Sequence, residues 1–443
     1  MKHSHFRKQT TWIVALLVLT ACGNDKQAQA DEQDTLLNVT RGRIKAILDA
    51  TPDCAAVPED ENCRPTKVSS KEFRFNWPQI NHNKVLIIET DNLPLTSLGK
   101  YGNRVFLRVK AGQNGTFRET EASTTMAAGL KKIYLGEFGK LTTHLRASDF
   151  QDLTEEMEKF KPSLDQISYD HGHLIQSYIA ENAPNSAFML ANYPEPPRED
   201  LCEKNTEKLQ DFYQSAGDSL AQMIRTQDVR FINLSAGETI KTIGLEFNHK
   251  CPGNSLSHSE AEQILAAASR FYKAIASVNT ALLVQAGMVS SGSFSVQDYN
   301  IDCDTASYPN RIRVGFYFDP SSSAPISGGS WDEFGASVPA GVANAKQCLD
   351  IFVNSGHAKD YPFQPGEFAA RVSATGLDEY DFPIIATSFA APIATTGLLR
   401  IAEKFDNLPA QKLVENMVLQ YGKSPQNSFY DFIRYFITTK GAN

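Results

Sequence analysis

Four short, near-continuous apolar runs set the frame for what this chain can fold into: Val85-Leu86-Ile87-Ile88, Phe231-Ile232-Asn233-Leu234, Ala281-Leu282-Leu283-Val284 and Ile312-Arg313-Val314-Gly315. A strand that alternates apolar and polar residues has one wet face, whereas a run without alternation is a strand buried on both faces of a parallel sheet. Amphipathic helical stretches fall between and beyond these runs, at Leu174 to Ala183, Thr206 to Thr226, Ser259 to Val278 and Ala391 to Phe405. Strand and helix in alternation predict an α/β fold: a doubly wound, mostly parallel sheet with helices on both faces. The chain of 443 residues, 42% hydrophobic, is long enough to bury one large α/β core or two smaller ones. It has no internal repeat, and its one low-complexity segment is the Ser-rich loop at Ser321 to Ser330.

The first residues read as a processing signal. Lys2, Arg7 and Lys8 form a positive region, and Trp12 to Leu19 form an apolar run too short to stay in a bilayer. The run ends in Leu19-Thr20-Ala21-Cys22, which resembles a bacterial lipobox. Residues 1–21 are therefore expected to be removed and Cys22 lipidated. The protein would then be held at a membrane by acyl chains in the bacterial cell envelope. Gly23, where an aspartate would resemble an inner-membrane retention signal, points to the outer membrane. Residues 22–74 are polar apart from a helical patch at Leu36 to Leu48, and are expected to be a tether with a small Cys-closed loop; residues 75–443 form the main domain. Residues 101–161 are expected to be an insertion decorating its edge.

Six further cysteines, an even number in an oxidising compartment, predict disulfides. The simplest pairing is sequential: Cys54–Cys63, Cys202–Cys251 and Cys303–Cys348. Wide spacing without a C-x-x-C pair argues against zinc. Loss of the three signal cations takes the formal charge from −8 to −11, and with no Lys/Arg block nucleic acid is not an expected partner.

Candidate chemistry lies in three places. Ser388, within Ile385-Ala386-Thr387-Ser388-Phe389-Ala390-Ala391-Pro392, stands where an extended run meets a helix. A hydroxyl there faces unpaired N–H groups and the positive end of the helix dipole. His171, in Asp170-His171-Gly172-His173, opens a helix, and the glycine after it allows another backbone to pass close. His171 and His173 are spaced wrongly for a helical metal pair. Glu89-Thr90-Asp91 ends the first apolar run, at the carboxyl edge where α/β sites assemble. Acid, His and Ser in that order form one of the known triad orders.

From about Lys84 to its end the chain resembles a subtilase, a subtilisin-like serine peptidase. Lys84 to Thr90 looks like the family's acid strand, His171-Gly172 with Ile179-Ala180 like its histidine helix, and Phe231 to Gly237 like its substrate-binding strand. Ala286-Gly287 looks like the segment before the oxyanion residue, Tyr308-Pro309 and Pro365-Gly366 like two family loops, and Thr387 to Pro392 like the nucleophile motif. The resemblance implies a subtilisin-like fold and a serine endopeptidase acting on a peptide or protein substrate. Ser388 would be the nucleophile, His171 the base, and Ser235, Ala236 and Gly237 would pair with an extended substrate. The third member is Asp91 or Glu89: Asp91 is preferred because aspartate is the usual type, while the ungapped register favours Glu89. Ala386 stands where the family has glycine. Met288 stands where it has the asparagine of the oxyanion hole, and methionine has no N–H to give. That departure and the displaced acid motivate an alternative, a catalytically impaired subtilase-fold lipoprotein acting as a peptide-binding or structural protein. No cofactor is expected; family members often bind calcium, for which Asn300, Asp302 and Asp304 form an oxygen-rich loop.

Overall fold

In the computed structural model, the described residues are 35, 37–73, 84–91, 93–96, 98–135, 153, 156–163, 171–183, 185–287, 308, 310–317, 328–331, 336–339, 349–354, 387–404, 412, 413 and 416. A helix over residues 37–49 (α1) leads to β1 (Pro65–Ser69) and β2 (Lys84–Glu89). Then come β3 (Val105–Ala111), β4 (Phe117–Glu119), β5 (Ser123–Ala127), α2 (Ala128–Leu135), α3 (His171–Asn182), β6 (Ala187–Asn192), α4 (Thr206–Thr226) and β7 (Phe231–Leu234). The rest are α5 (Ile240–Lys250), α6 (His258–Ala276), β8 (Leu282–Ala286), β9 (Arg311–Tyr317), β10 (Gly328–Trp331), β11 (Ala336–Pro339), β12 (Ile351–Asn354) and α7 (Thr387–Lys404). No helix among the described residues is long and apolar enough to cross a membrane.

Eight strands form one sheet in the order β12-β9-β8-β7-β2-β6-β3-β4. All its pairings are parallel except the β3–β4 edge. The alternate residues of β2 explain why its run is continuous. Val85 and Ile87 face the helices α3 and α7, whereas Leu86 and Ile88 face α4, α5 and α6. All four are fully buried. At roughly 1.5–3 kcal/mol for each fully buried aliphatic side chain, these two faces are the main source of cohesion. Helix boundaries follow local chemistry: Ser257 and Glu260 form a capping box at the start of α6, and Thr239 with Thr242 does the same for α5. Gly217 lets α4 and α6 approach, since a Cβ there would come within 2.6 Å of the Ala274 Cβ.

The end of α3 is closed by an unusual device. The buried guanidinium of Arg104 donates to the carbonyls of Ala180, Ala183 and Ser186 at 2.8, 2.6 and 2.9 Å, and to the Ser186 hydroxyl at 2.6 Å. It joins the last turn of α3 at Ala180 to the following turn, where the Ala183 carbonyl also accepts from the Ser186 amide and hydroxyl. Beside it, buried Glu181 accepts from Lys100 at 2.6 Å and from Tyr101.

One expectation about organisation is corrected. Residues 37–73 are no tether: Ile44, Leu48, Cys54, Cys63, Val68 and Phe73 form a third core with Leu98, Ala122, Met126, Leu130, Ile133, Tyr134 and Phe160, and β1 pairs antiparallel with β5. The helix shows only a narrow apolar stripe and the core is small, so the composition reads as polar. In the stretch 101–161, expected to be an insertion decorating the edge, β3 and β4 are the outermost strands of the main sheet on that side. β3 escapes the pattern because it lies near the edge and buries Arg108 among half-exposed residues. Cys54–Cys63 and Cys202–Cys251 are bonded as expected. Cys22, Cys303, Cys348 and the signal lie outside the described residues.

Candidate active site

Sheet order places β2 between β6 and β7, with the chain winding away on either side. The crevice beyond the carboxyl ends of such strands is where open α/β sheets assemble sites. Glu89 is the last residue of β2 and is 0% exposed. Its Oε2 lies 2.8 Å from Nδ1 of His171, the first residue of α3. A carboxylate accepts only, so Nδ1 donates and Nε2 is left as the basic nitrogen of the neutral ring. The His171 side chain is 35% exposed, open on the side away from Glu89.

Asp91 does something else. Its Oδ2 accepts from the Gly172 amide at 2.6 Å and its Oδ1 from the Leu93 amide at 2.9 Å. The structure thus puts Glu89, not Asp91, on the imidazole, and this corrects the preference for aspartate by type. Asp91 is instead a clamp between the strand end and the first turn of α3, where a carboxylate also meets the positive end of the dipole. The reason for Gly172 changes accordingly. A Cβ there would lie 2.7 Å from Asp91 Oδ1 and 2.9 Å from Leu93 Cβ, so the glycine makes room for side chains rather than for a passing backbone.

Burial raises the Glu89 carboxyl above its usual value, with His171 and the Ser235 hydroxyl pulling the other way. Burial also acts to lower His171, but the Glu89 hydrogen bond and charge, with the charge of Asp91, outweigh it, and the imidazole pKa is raised.

Ser388 lies in the first turn of α7, half-buried. The ring of the next residue, Phe389, stands 5.4 Å from the His171 ring, centroid to centroid. The helix end that carries the hydroxyl thus abuts the imidazole. Ser235, Ala236 and Gly237 leave the carboxyl end of β7, with Ser235 buried and the other two partly exposed. Ala236 offers its carbonyl to Gln285 Nε2 at 3.4 Å.

Two residues here escaped the sequence reading. Asn233, buried in β7, donates through Nδ2 to the Ser235 hydroxyl at 2.9 Å, and its Oδ1 lies 3.0 Å from the buried Thr395 hydroxyl of α7. Signals for both exist. Asn233 interrupts an apolar run, and Thr395 follows Ser388 by seven residues, two helical turns on the same face. Glu238, just after Gly237, has its carboxyl pushed up to about 8, first by burial and then by the charge of Glu246. Met288, Ala386 and the loop of Asn300, Asp302 and Asp304 lie outside the described residues. Among the described residues, no three metal-ligating side chains gather into a site.

No family model matches the chain, and no curated protein matches it. Among solved structures, a psychrophilic protease shares 11% identity at a TM-score of 0.37, covering 78% of this chain and 87% of its own. MycP1 from Mycobacterium smegmatis shares 12% at 0.38, covering 81% and 78%. Sphericase shares 12% at 0.35, covering 80% and 88%.

Proposed function

We propose that the protein is a serine endopeptidase of subtilisin-like type, with Ser388 as nucleophile, His171 as general base and Glu89 as the carboxylate that orients it. The observation that carries this reading is the 2.8 Å contact between buried Glu89 and His171 Nδ1, made beside the helix end that bears Ser388. Glu89 fixes the tautomer, so that Nε2 can take the Ser388 proton as Oγ attacks the scissile carbonyl. The tetrahedral oxyanion forms at the amino end of α7, where free amides and the dipole favour negative charge. His171 then gives its proton to the leaving amine as the C–N bond breaks, and water cleaves the acyl-enzyme by the reverse proton path. An extended substrate would lie against Ser235, Ala236 and Gly237 by strand addition.

Labelling of full-length protein with a serine-reactive fluorophosphonate, together with hydrolysis of unstructured peptides, tests the assignment. Ser388→Ala and His171→Ala should each remove essentially all labelling and turnover, since the pair acts as a unit. Retained peptide hydrolysis by Ser388→Ala would falsify it. Met288→Asn should raise kcat with little change in KM, because the new donor would act mainly in the transition state. Inert wild type made active by Met288→Asn would point instead to peptide binding on this scaffold. Lipidation at Cys22 and attachment to the outer membrane complete the reading. Cys22→Ser should block processing of the precursor and its partition into membranes.

A further inference from the structure

Glu89 uses one carboxylate oxygen on His171, while its other oxygen, Oε1, is buried with no hydrogen-bond partner among the described residues. A buried carboxylate is expensive to keep ionised unless its oxygens receive protons. Ile88 of β2 pairs with Leu234 of β7, so Glu89 and Ser235 follow at the same level at the ends of adjacent parallel strands, and Ser235 has a proton to offer. Its hydroxyl oxygen is occupied by the Asn233 Nδ2 donor, so the O–H hydrogen is free to point elsewhere, and its effect on Glu89 is to favour the ionised form. Asn233 is held in turn by Thr395 on the helix that carries Ser388.

We propose that Ser235 is a positioning residue whose hydroxyl, oriented by Asn233 and Thr395, donates to Glu89 Oε1 in the working site and keeps the carboxylate charged and aimed at His171. This role is separate from substrate pairing along residues 235–237, which uses backbone groups. It also ties the acid to the nucleophile helix through β7, so that α7 and β2 are registered by a chain of polar side chains and not by packing alone. The inference rests on the peptidase reading for its kinetic readout only.

The titratable groups acting on Glu89 are His171 from α3 and Asp91 from its own strand end. Glu89 and His171 titrate as a pair. Loss of a donor to the ionised carboxylate raises the proton affinity of the pair, whichever member takes the proton. In Ser235→Ala the acid limb of kcat/KM against pH should therefore move up by about one unit, with kcat reduced and KM unchanged. Ser235→Thr, which keeps the hydroxyl, should return the midpoint to the wild-type value, and Thr395→Val should shift it upward by less. The same midpoints are read without turnover from the His171 ring resonances by NMR. A wild-type midpoint in folded Ser235→Ala overturns the proposal, as does an equal shift in Ser235→Thr. If Ser235→Ala does not fold, an unshifted midpoint in Thr395→Val overturns it. Wild type that neither labels nor hydrolyses peptide removes the peptidase reading alone, since the shift in the His171 resonances would still report the link.

Discussion

Two carboxylates two residues apart do different work: Glu89 meets the His171 ring and Asp91 holds the amides of Gly172 and Leu93. Glu89→Gln should lower kcat by about 10⁴-fold, as loss of the orienting acid does in related triads. Asp91→Ala should leave residual activity far higher and cost about 1 kcal/mol of stability, as loss of a capping side chain does. Kinetics and thermal melts on both variants separate the two roles. Because His171 must be neutral to act and its pKa is raised, activity should climb through a midpoint above the ordinary 6.5 of a histidine. A pH–rate profile checks this. Glu238 provides a second titration. Its folded value of about 8 exceeds the 4.5 of an unperturbed carboxyl, so between those values the folded state keeps a proton that the unfolded state has lost. Stability then falls as pH rises through that window, and Glu238→Gln should remove this fall in melting scans from pH 5 to 8. The sequence carried Ser388, His171 and a two-way choice of acid. It did not settle the choice, since both side chains leave the same face of the strand and only the position of α3 decides which one reaches the ring.

At the scale of elements, the long strands and helices were legible because each repeats its pattern over enough residues. The helix expected at Thr206 to Thr226 is found at those bounds, and that at Ser259 to Val278 as His258–Ala276. What stayed hidden is polar burial. Arg104, Asn233 and Thr395 read as surface residues by type, yet each is placed by partners far away in sequence. Arg104→Met should destabilise the fold by about 1–3 kcal/mol, because the carbonyls of Ala180 and Ser186 lose a buried charged donor. Denaturant melts of that variant measure the loss. The disulfide across Cys202–Cys251, separated by 49 residues, should contribute about 4 kcal/mol by restricting the unfolded chain, against less for the 9-residue loop of Cys54–Cys63. Selective replacement of each pair by alanine orders the two.

On the scale of the whole molecule, the parallel sheet followed directly from the continuous apolar runs, whereas the role of residues 37–73 did not. Polar composition is a poor guide where a segment contributes only a few side chains to a small shared core. A chain beginning at residue 75 should expose Met126, Leu130 and Phe160, bind hydrophobic dye and melt at lower temperature than the longer form. Among the described residues, every strand of the sheet, His171 and its carboxylate precede residue 355, whereas Ser388 arrives on α7, the long helix that packs with Val85, Ile87, Phe231 and Val284. Glu89 and His171 are thus seated by elements that precede α7 in the chain, and the docking of that one helix both covers this face of the sheet and sets the turn bearing Ser388 beside the imidazole.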